Sequence, residues 1–277
     1  MSGPVVTANR LDLQQLNQRF SSAPAESVLQ WVDQTFAPDV ALACSFGGLA
    51  GMVLVDMAAR LSLRFEIFYL DTDLLFPQTY ALVERVKERY GLQPVAYSPD
   101  LSLSAQAARY GDELWRWDPD RCCALRKVEP NRRALEGKRA WVTGIRRDQT
   151  PSRWSKPLVE WDTRFELVKV NPLAAWSEAE VREYIRRYDV PYNPLLDRGL
   201  PSIGCLPCTR AVQPGEDPRA GRWSGFEKTE CGLHFESGVQ GPGSRVPSLG
   251  PAGERLVSIG VGSVRESAGL PVKTARA

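Results

Sequence analysis

The sequence predicts an α/β fold in which a parallel sheet is covered by helices on both faces. Three observations carry this. Short apolar runs recur at residues 40–43, 65–70, 94–97 and 140–144, helically periodic stretches lie between them, and the runs stop at turns bearing Gly, Ser or Asp. Strands alternating with helices imply parallel pairing, with ligands bound beyond the carboxyl ends of the strands.

The elements follow in order. Leu11, Leu13, Leu16 and Phe20 are helically spaced, and a second helix starts at Pro24 and runs through Val28, Leu29, Val32 and Phe36. The first strand, 40–43, ends at Cys44-Ser45-Phe46-Gly47-Gly48, after which Met52, Val53, Val55 and Met57 fall in a helix. The second strand, 65–70, stops at Asp71-Thr72-Asp73 before a helix over 76–90. Strands at 94–97 and 140–144 are accompanied by helices over 101–109 and 122–135. The turns at Ser45, Asp71 and Gly144 are therefore expected to converge. A last helix spans 177–188 and opens with a capping box at Ser177 and Glu180. The 41 residues from Ser237 to Ala277 hold 8 Gly, 4 Pro and no aromatic residue, so this tail is expected to be disordered and dispensable for activity. The organisation is thus one domain over 1–236 followed by a tail over 237–277.

With 277 residues, 43% hydrophobic and 25% charged, the chain can bury a core without disulfide staples. The 35 Lys and Arg against 33 Asp and Glu leave a net charge of +2, which argues against nucleic acid as a partner. No apolar run is long enough to span a bilayer and the start lacks the pattern of a secretory signal, so a cytoplasmic location and no membrane association are expected. Six cysteines in that compartment are read as ligands, nucleophiles or buried thiols.

Their spacing is informative. Cys122-Cys123 and Cys205-Leu206-Pro207-Cys208 form two pairs, and four sulfurs suit zinc or an iron–sulfur cluster. Adjacent cysteines diverge, which favours a cluster of four irons over one zinc ion. Cys44 ends an apolar strand and is read as buried and inert. Cys231 stands apart near Lys228 and the chain's one histidine, His234, cations beside which a thiol ionises more readily. The Ser45–Gly48 turn before a helix suits an anion but is neither a Walker loop nor a dinucleotide fingerprint. Arg126, Lys127, Arg146, Arg147, Arg219 and Arg222 gather around the same turns, as a phosphorylated or sulfated ligand requires.

These residues carry a resemblance. Ser45-Phe46-Gly47-Gly48, Leu70-Asp71-Thr72-Asp73, residues 121–130 beginning Arg121-Cys122-Cys123, Gly144-Ile145-Arg146-Arg147-Asp148-Gln149-Thr150, Gly204-Cys205-Leu206-Pro207-Cys208-Thr209 and Glu230-Cys231-Gly232-Leu233-His234 resemble the assimilatory adenylyl-sulfate reductases of the PAPS reductase family. The resemblance runs from about Val40 to His234 and implies an adenine nucleotide α-hydrolase-like fold. It further implies a [4Fe–4S] cluster on Cys122, Cys123, Cys205 and Cys208, and Cys231 as the nucleophile. The implied substrate is adenosine 5′-phosphosulfate (APS), reduced to sulfite and AMP through an S-sulfocysteine that thioredoxin or a similar dithiol resolves. By the same resemblance Ser45, Phe46, Gly47, Gly48 and Asp71 lie at the nucleotide, Lys127, Arg146, Arg147, Arg219 and Arg222 at the phosphosulfate, and His234 near the reacting centre.

The alternatives are a reductase of the 3′-phosphorylated nucleotide (PAPS) or of both nucleotides, and a nucleotide-binding iron–sulfur regulator without turnover. A cluster-free PAPS reductase would lack the cysteine pairs, and a regulator needs no nucleophile at Cys231. The turn lacks the Asp-Ser ending of ATP pyrophosphatases, which disfavours ATP cleavage. Oligomeric state is left open.

Overall fold

The computed structural model describes residues 11–228 and 230–233; His234 and the expected tail over 237–277 lie outside them. Two amphipathic helices, α1 (Leu13–Phe20) and α2 (Ala25–Phe36), precede the sheet. Asp12 caps α1 by accepting a hydrogen bond from the Gln15 N–H at 2.9 Å, and α2 buries Val28, Leu29, Val32 and Phe36 along one stripe.

The strands β1 (Val40–Ala43), β2 (Glu66–Leu70), β3 (Val95–Tyr97) and β4 (Ala140–Val142) pair in parallel in the order β3-β2-β1-β4. Between them run α3 (Leu49–Arg60), α4 (Pro77–Tyr90) and α5 (Leu103–Tyr110). A helical run then passes through α6 (Pro119–Cys123), a π turn (Ala124–Val128) and α7 (Glu129–Leu135) without a break. The single helix expected over 122–135 is therefore three joined pieces. The helix α8 (Glu178–Arg187) has the predicted capping box, with the Ser177 N–H donating to Glu180 at 2.7 Å.

One part of the sheet was not foreseen. The strands β5 (Val159–Asp162) and β6 (Leu167–Val170) extend it to β3-β2-β1-β4-β6-β5, with β6 parallel to β4 and β5 antiparallel at the edge. The sheet is thus mixed, with one antiparallel strand on an otherwise parallel frame, and this hairpin becomes part of the site.

Side chains alternate across the sheet as strand geometry requires. Val40 and Leu42 of β1, Val142 of β4 and Val168 and Val170 of β6 face the larger core with α2, α3, α4 and α8. Ala41, Phe68, Trp141 and Leu167 face the opposite side, where Ala134 and Leu135 of α7 cover them. Helix α3 is buried almost all round, consistent with its central place.

A buried carboxylate ties three helices together. Asp56 of α3, 2% exposed, accepts from the Tyr90 hydroxyl at the end of α4 (2.9 Å) and the Tyr184 hydroxyl of α8 (2.7 Å). Burial, and then the Asp56 carboxylate, push both phenols above their ordinary pKa. Asp56→Ala leaves the buried Tyr184 hydroxyl and the half-buried Tyr90 hydroxyl without their acceptor, and the expected loss is about 2–4 kcal/mol of unfolding free energy. Urea denaturation checks it, and a loss below about 0.5 kcal/mol would remove the tie from the account of stability.

Candidate active site

The first turns after β1, β2 and β4 converge, as expected. Ser45, Gly47 and Gly48 after β1, Thr72 after β2, and Thr143, Gly144 and Ile145 after β4 line one cavity of about 300 Å³. The cavity sits where the strand order reverses between β1 and β4, a place for ligand binding in open α/β sheets. Close approach of the turns requires glycine here: a Cβ on Gly144 would meet Gly51 N at 3.0 Å, and one on Gly47 would meet the Ile203 carbonyl at 2.9 Å.

Basic residues enter from two directions. Lys127 and, four residues on, Asn131 project from the π turn and α7 into the cavity, the spacing that shares a helix face. Arg219 and Arg222 line it from the segment after the second cysteine pair. The Arg222 guanidinium lies against Gly204, where a Cβ would fall 2.5 Å from Arg222 Cζ, so the bare backbone at 204 makes its place. The Trp223 ring has the cations of Arg222, Lys228 and Lys127 at 4.4, 5.4 and 5.9 Å from its centroid.

Cys231 lines the same cavity. Charge on its sulfur acts to raise the pKa of Lys127, Arg153, Arg164 and Arg222, so four cations lie within its electrostatic reach. Burial opposes the charge on Lys127, but Cys205, Cys123 and Cys231 outweigh it and hold the ammonium above its ordinary pKa. Lys127 therefore lies in the combined field of the paired cysteines and Cys231.

Cys122 and Cys123 are buried at the end of α6, and Cys205 and Cys208 flank a short 3₁₀ turn. The Cys205 sulfur is 3.3 Å from the Thr72 hydroxyl. Burial and then the charges of Cys123, Cys205 and Cys208 push the Cys122 thiol up to about 12, so the other three sulfurs lie within its electrostatic reach. Among the described residues, no three His, Cys, Asp or Glu side chains are placed to hold a single metal ion. Three buried sulfurs and one half-buried sulfur, two from α6 and two from the 3₁₀ turn, are the thiolate donors that an iron–sulfur cluster takes.

Some predicted substrate residues do not reach the cavity. Phe46 adopts a left-handed backbone (φ 51°), and its side chain is wholly buried, edge-on to Tyr69 at 5.6 Å. It fixes the turn from beneath. The Asp71 carboxylate accepts from the Tyr80 hydroxyl at 2.6 Å and is not among the lining groups. Arg147 also lies off the lining, donating to the Lys156 carbonyl at 2.8 Å. Its neighbour Arg146 lines the cavity, but its guanidinium is paired with Asp148 (2.9 Å) and Glu178 (2.7 Å). His234 is outside the described residues. Lys228, expected beside Cys231, pairs with Asp120 next to the cysteine pair of α6.

Two residues the sequence did not single out join the site. Arg153 grips Glu230 with Nε and Nη2 at 3.1 and 2.9 Å, and Arg164, in the β5–β6 turn, donates to the Gly232 carbonyl. Their partners are 77 and 68 residues away, so no local pattern marks them.

The family described as the phosphoadenosine phosphosulfate reductase domain matches residues 39–211. The chain belongs to this family. Among its relatives, the adenosine 5′-phosphosulfate reductase of Shouchella clausii is 47% identical over 224 residues, covering 80% of this chain and 92% of the relative. Adenosine 5′-phosphosulfate reductase 1 of Bacillus subtilis is 48% identical over 211 residues, covering 76% and 90%. The crystal structure of phosphoadenylyl-sulfate reductase from Candida auris, a phosphate complex, is similar at a TM-score of 0.65 and 32% identity, covering 76% of this chain and all of that one. A Candida glabrata FMN adenylyltransferase structure (TM-score 0.51, 16% identity, covering 74% and 69%) shares the fold alone. The predicted adenine nucleotide α-hydrolase-like α/β fold is therefore the observed one.

Cys44 contrasts with Cys231. It is 2% exposed, with its sulfur 4.0 Å from that of Met52, and burial pushes its thiol from 9.0 up to about 12. At pH 8 only about one such thiol in ten thousand is ionised, so native protein should leave Cys44 unlabelled by iodoacetamide while denatured protein labels it. Between pH 9 and 12 the unfolded chain loses this proton and the folded chain keeps it, so Cys44 increasingly favours unfolding as pH rises through that window. Native labelling of Cys44 at pH 8, read by peptide mass spectrometry, would contradict the assignment.

Proposed function

We propose that the protein is a thioredoxin-dependent adenylyl-sulfate reductase, converting APS to sulfite and AMP in assimilatory sulfate reduction. The observation that carries this is the placement of Cys231 on the same cavity as the Ser45–Gly48 turn and the cations Lys127, Arg219 and Arg222. Relatives at 43–48% identity bear the name adenosine 5′-phosphosulfate reductase, which supports APS over its 3′-phosphorylated analogue.

The chemistry follows from the site. The nucleotide lies beyond the strand ends with its phosphosulfate toward the cations, whose charge offsets that of the anion and of the departing phosphate. The Cys231 thiolate attacks the sulfur of APS; a Cys–S bond forms, the S–O bond to the phosphate breaks with its electron pair leaving on AMP, and Cys231 carries an S-sulfonate. A thiolate of the dithiol partner then attacks the Cys231 sulfur. The sulfonate leaves as sulfite with the bonding pair, and the partner's second thiol closes its own disulfide, so both electrons come from the dithiol. Cys122, Cys123, Cys205 and Cys208 would hold a [4Fe–4S] cluster. When bound, the cluster supplies an electrostatic field beside Lys127. The Ser45 and Gly48 region orients the nucleotide, and cytoplasm is the compartment that suits both the free thiols and the dithiol donor.

Two measurements test this reading. Wild-type protein incubated with APS and no reductant should gain one SO₃ unit on Cys231, more slowly with the 3′-phosphorylated nucleotide. Cys231→Ser should bind APS yet produce sulfite only at background, because a hydroxyl is scarcely ionised near neutral pH. Sulfite formation by that variant, or an adduct on another cysteine, would refute the mechanism. For the metal, anaerobically purified protein should contain close to four irons and four sulfides per chain, lost when any of the four ligand cysteines becomes Ser. Stoichiometric zinc without sulfide would overturn the cofactor assignment.

A further inference from the structure

The residues on either side of Cys231 are held by groups that come from distant parts of the fold. On one side the Glu230 carboxylate, 7% exposed, accepts two hydrogen bonds from Arg153, at 3.1 and 2.9 Å, in a bidentate pair. Arg219 adds a third contact to Glu230 at 3.4 Å. Arg153 ends a 3₁₀ turn (Pro151–Arg153) and also donates to the Gln149 side chain, which fixes its direction. On the other side the Gly232 carbonyl accepts from Arg164, whose own backbone N–H is held by Asp162 at 3.1 Å in the β5–β6 turn.

A buried ion pair is a poor source of stability, because removing two charges from water offsets most of their attraction. Burial here works against the charge on Arg153, and Glu230 counteracts it. What a bidentate pair does supply is direction, since the planar guanidinium accepts a carboxylate in few orientations. The bond to Glu230 and the bond to Gly232 bracket a single residue, and that residue is the thiol on the cavity.

We propose that Glu230 is a positioning residue: its ion pair with Arg153, with Arg164 on the Gly232 carbonyl, forms a two-sided clamp that seats Cys231 over the cavity for sulfur transfer. The proposal rests on the reading of Cys231 as nucleophile. It predicts a defect in the transfer step much larger than any change in nucleotide binding, since a carboxylate does not attract an anionic ligand and Glu230 reaches the cation Arg219 only at 3.4 Å.

The test uses full-length, anaerobically purified Glu230→Gln, which keeps the side-chain shape but loses the charge. Single-turnover formation of the Cys231 sulfonate should slow by about 100-fold, the scale of a misplacement of about 1 Å, while APS affinity stays within about 3-fold. Glu230→Asp, which retains the carboxylate on a shorter stem, should recover about a tenth of wild-type rate. In nucleotide-free protein, labelling of Cys231 by a bulky maleimide should quicken several-fold in Glu230→Gln. Wild-type transfer and labelling rates in Glu230→Gln would overturn the clamp, as would an equal loss of rate and affinity, which is the mark of a merely structural role. Failure of the nucleophile reading would look different: Cys231→Ser would turn over, whatever Glu230→Gln does to labelling.

Discussion

The strand order reverses between β1 and β4, and the site depends on that reversal. Connections leave β1 toward β2 and β3 and leave β4 toward β6 and β5, so the two first turns part and open a crevice at the strand ends. The opening is kept narrow by glycine. Gly144 and Gly51 bring the two turns close enough that any Cβ on Gly144 would strike the α3 backbone at 3.0–3.2 Å. The Phe46 ring, buried in the core, supports the first turn from beneath without lining the cavity. A residue of the turn thus shapes the cavity by packing away from it.

Electrostatics within the crevice follow from how positive charge is distributed in a nearly neutral chain. Several cations near the site are matched to carboxylates: Arg146 to Asp148 and Glu178, Arg126 to Asp73, and Lys228 to Asp120. These pairs set the walls. Lys127 and Arg222 face the cavity, where sulfur and anion chemistry can use their charge. Both lie against Trp223, whose π face is a weaker partner than a carboxylate and leaves the cation available to a ligand. The crevice thereby holds both carboxylate-paired cations and cations that face its interior against an aromatic ring.

What was legible in the sequence was local. The runs at 40–43 and 65–70 and the turns that end them reveal strand, turn and helix within a dozen residues, and the cysteine pairs reveal themselves by spacing. The β5–β6 hairpin was missed because Val159–Asp162 and Leu167–Val170 are four residues each and the second carries a buried lysine, Lys169, which breaks the apolar pattern. That lysine is tolerated because Glu160 lies 3.2 Å away and the Trp141 ring 5.2 Å away, both supplied by other strands. The contacts of Asp71 and Arg147 were equally illegible. A polar residue at a strand end can turn to a near protein partner as well as to a ligand, and here Asp71 accepts from Tyr80 while Arg147 donates to the Lys156 carbonyl. Arg153 and Arg164 escaped notice because their importance arises entirely from contacts across the chain.

The way the Cys231 segment is held differs from the way the rest of the fold is held. Ser224, Gly225, Phe226 and Glu227 are exposed, so apolar burial does not anchor the approach to Cys231. Instead the segment is pinned at separate polar points: Lys228 to Asp120, Glu230 to Arg153, and the Gly232 carbonyl to Arg164. These are separate bonds and not a packed apolar face, so each can open by itself, at the cost for Glu230 and Arg153 of separating a buried charge pair. Under the proposed chemistry Cys231 must meet two partners of different size, a nucleotide inside the cavity and then a protein dithiol from outside. A thiol fixed by burial, as Cys44 is, could serve neither. Cys231, half-exposed on the cavity and held at a few polar points, is open to both.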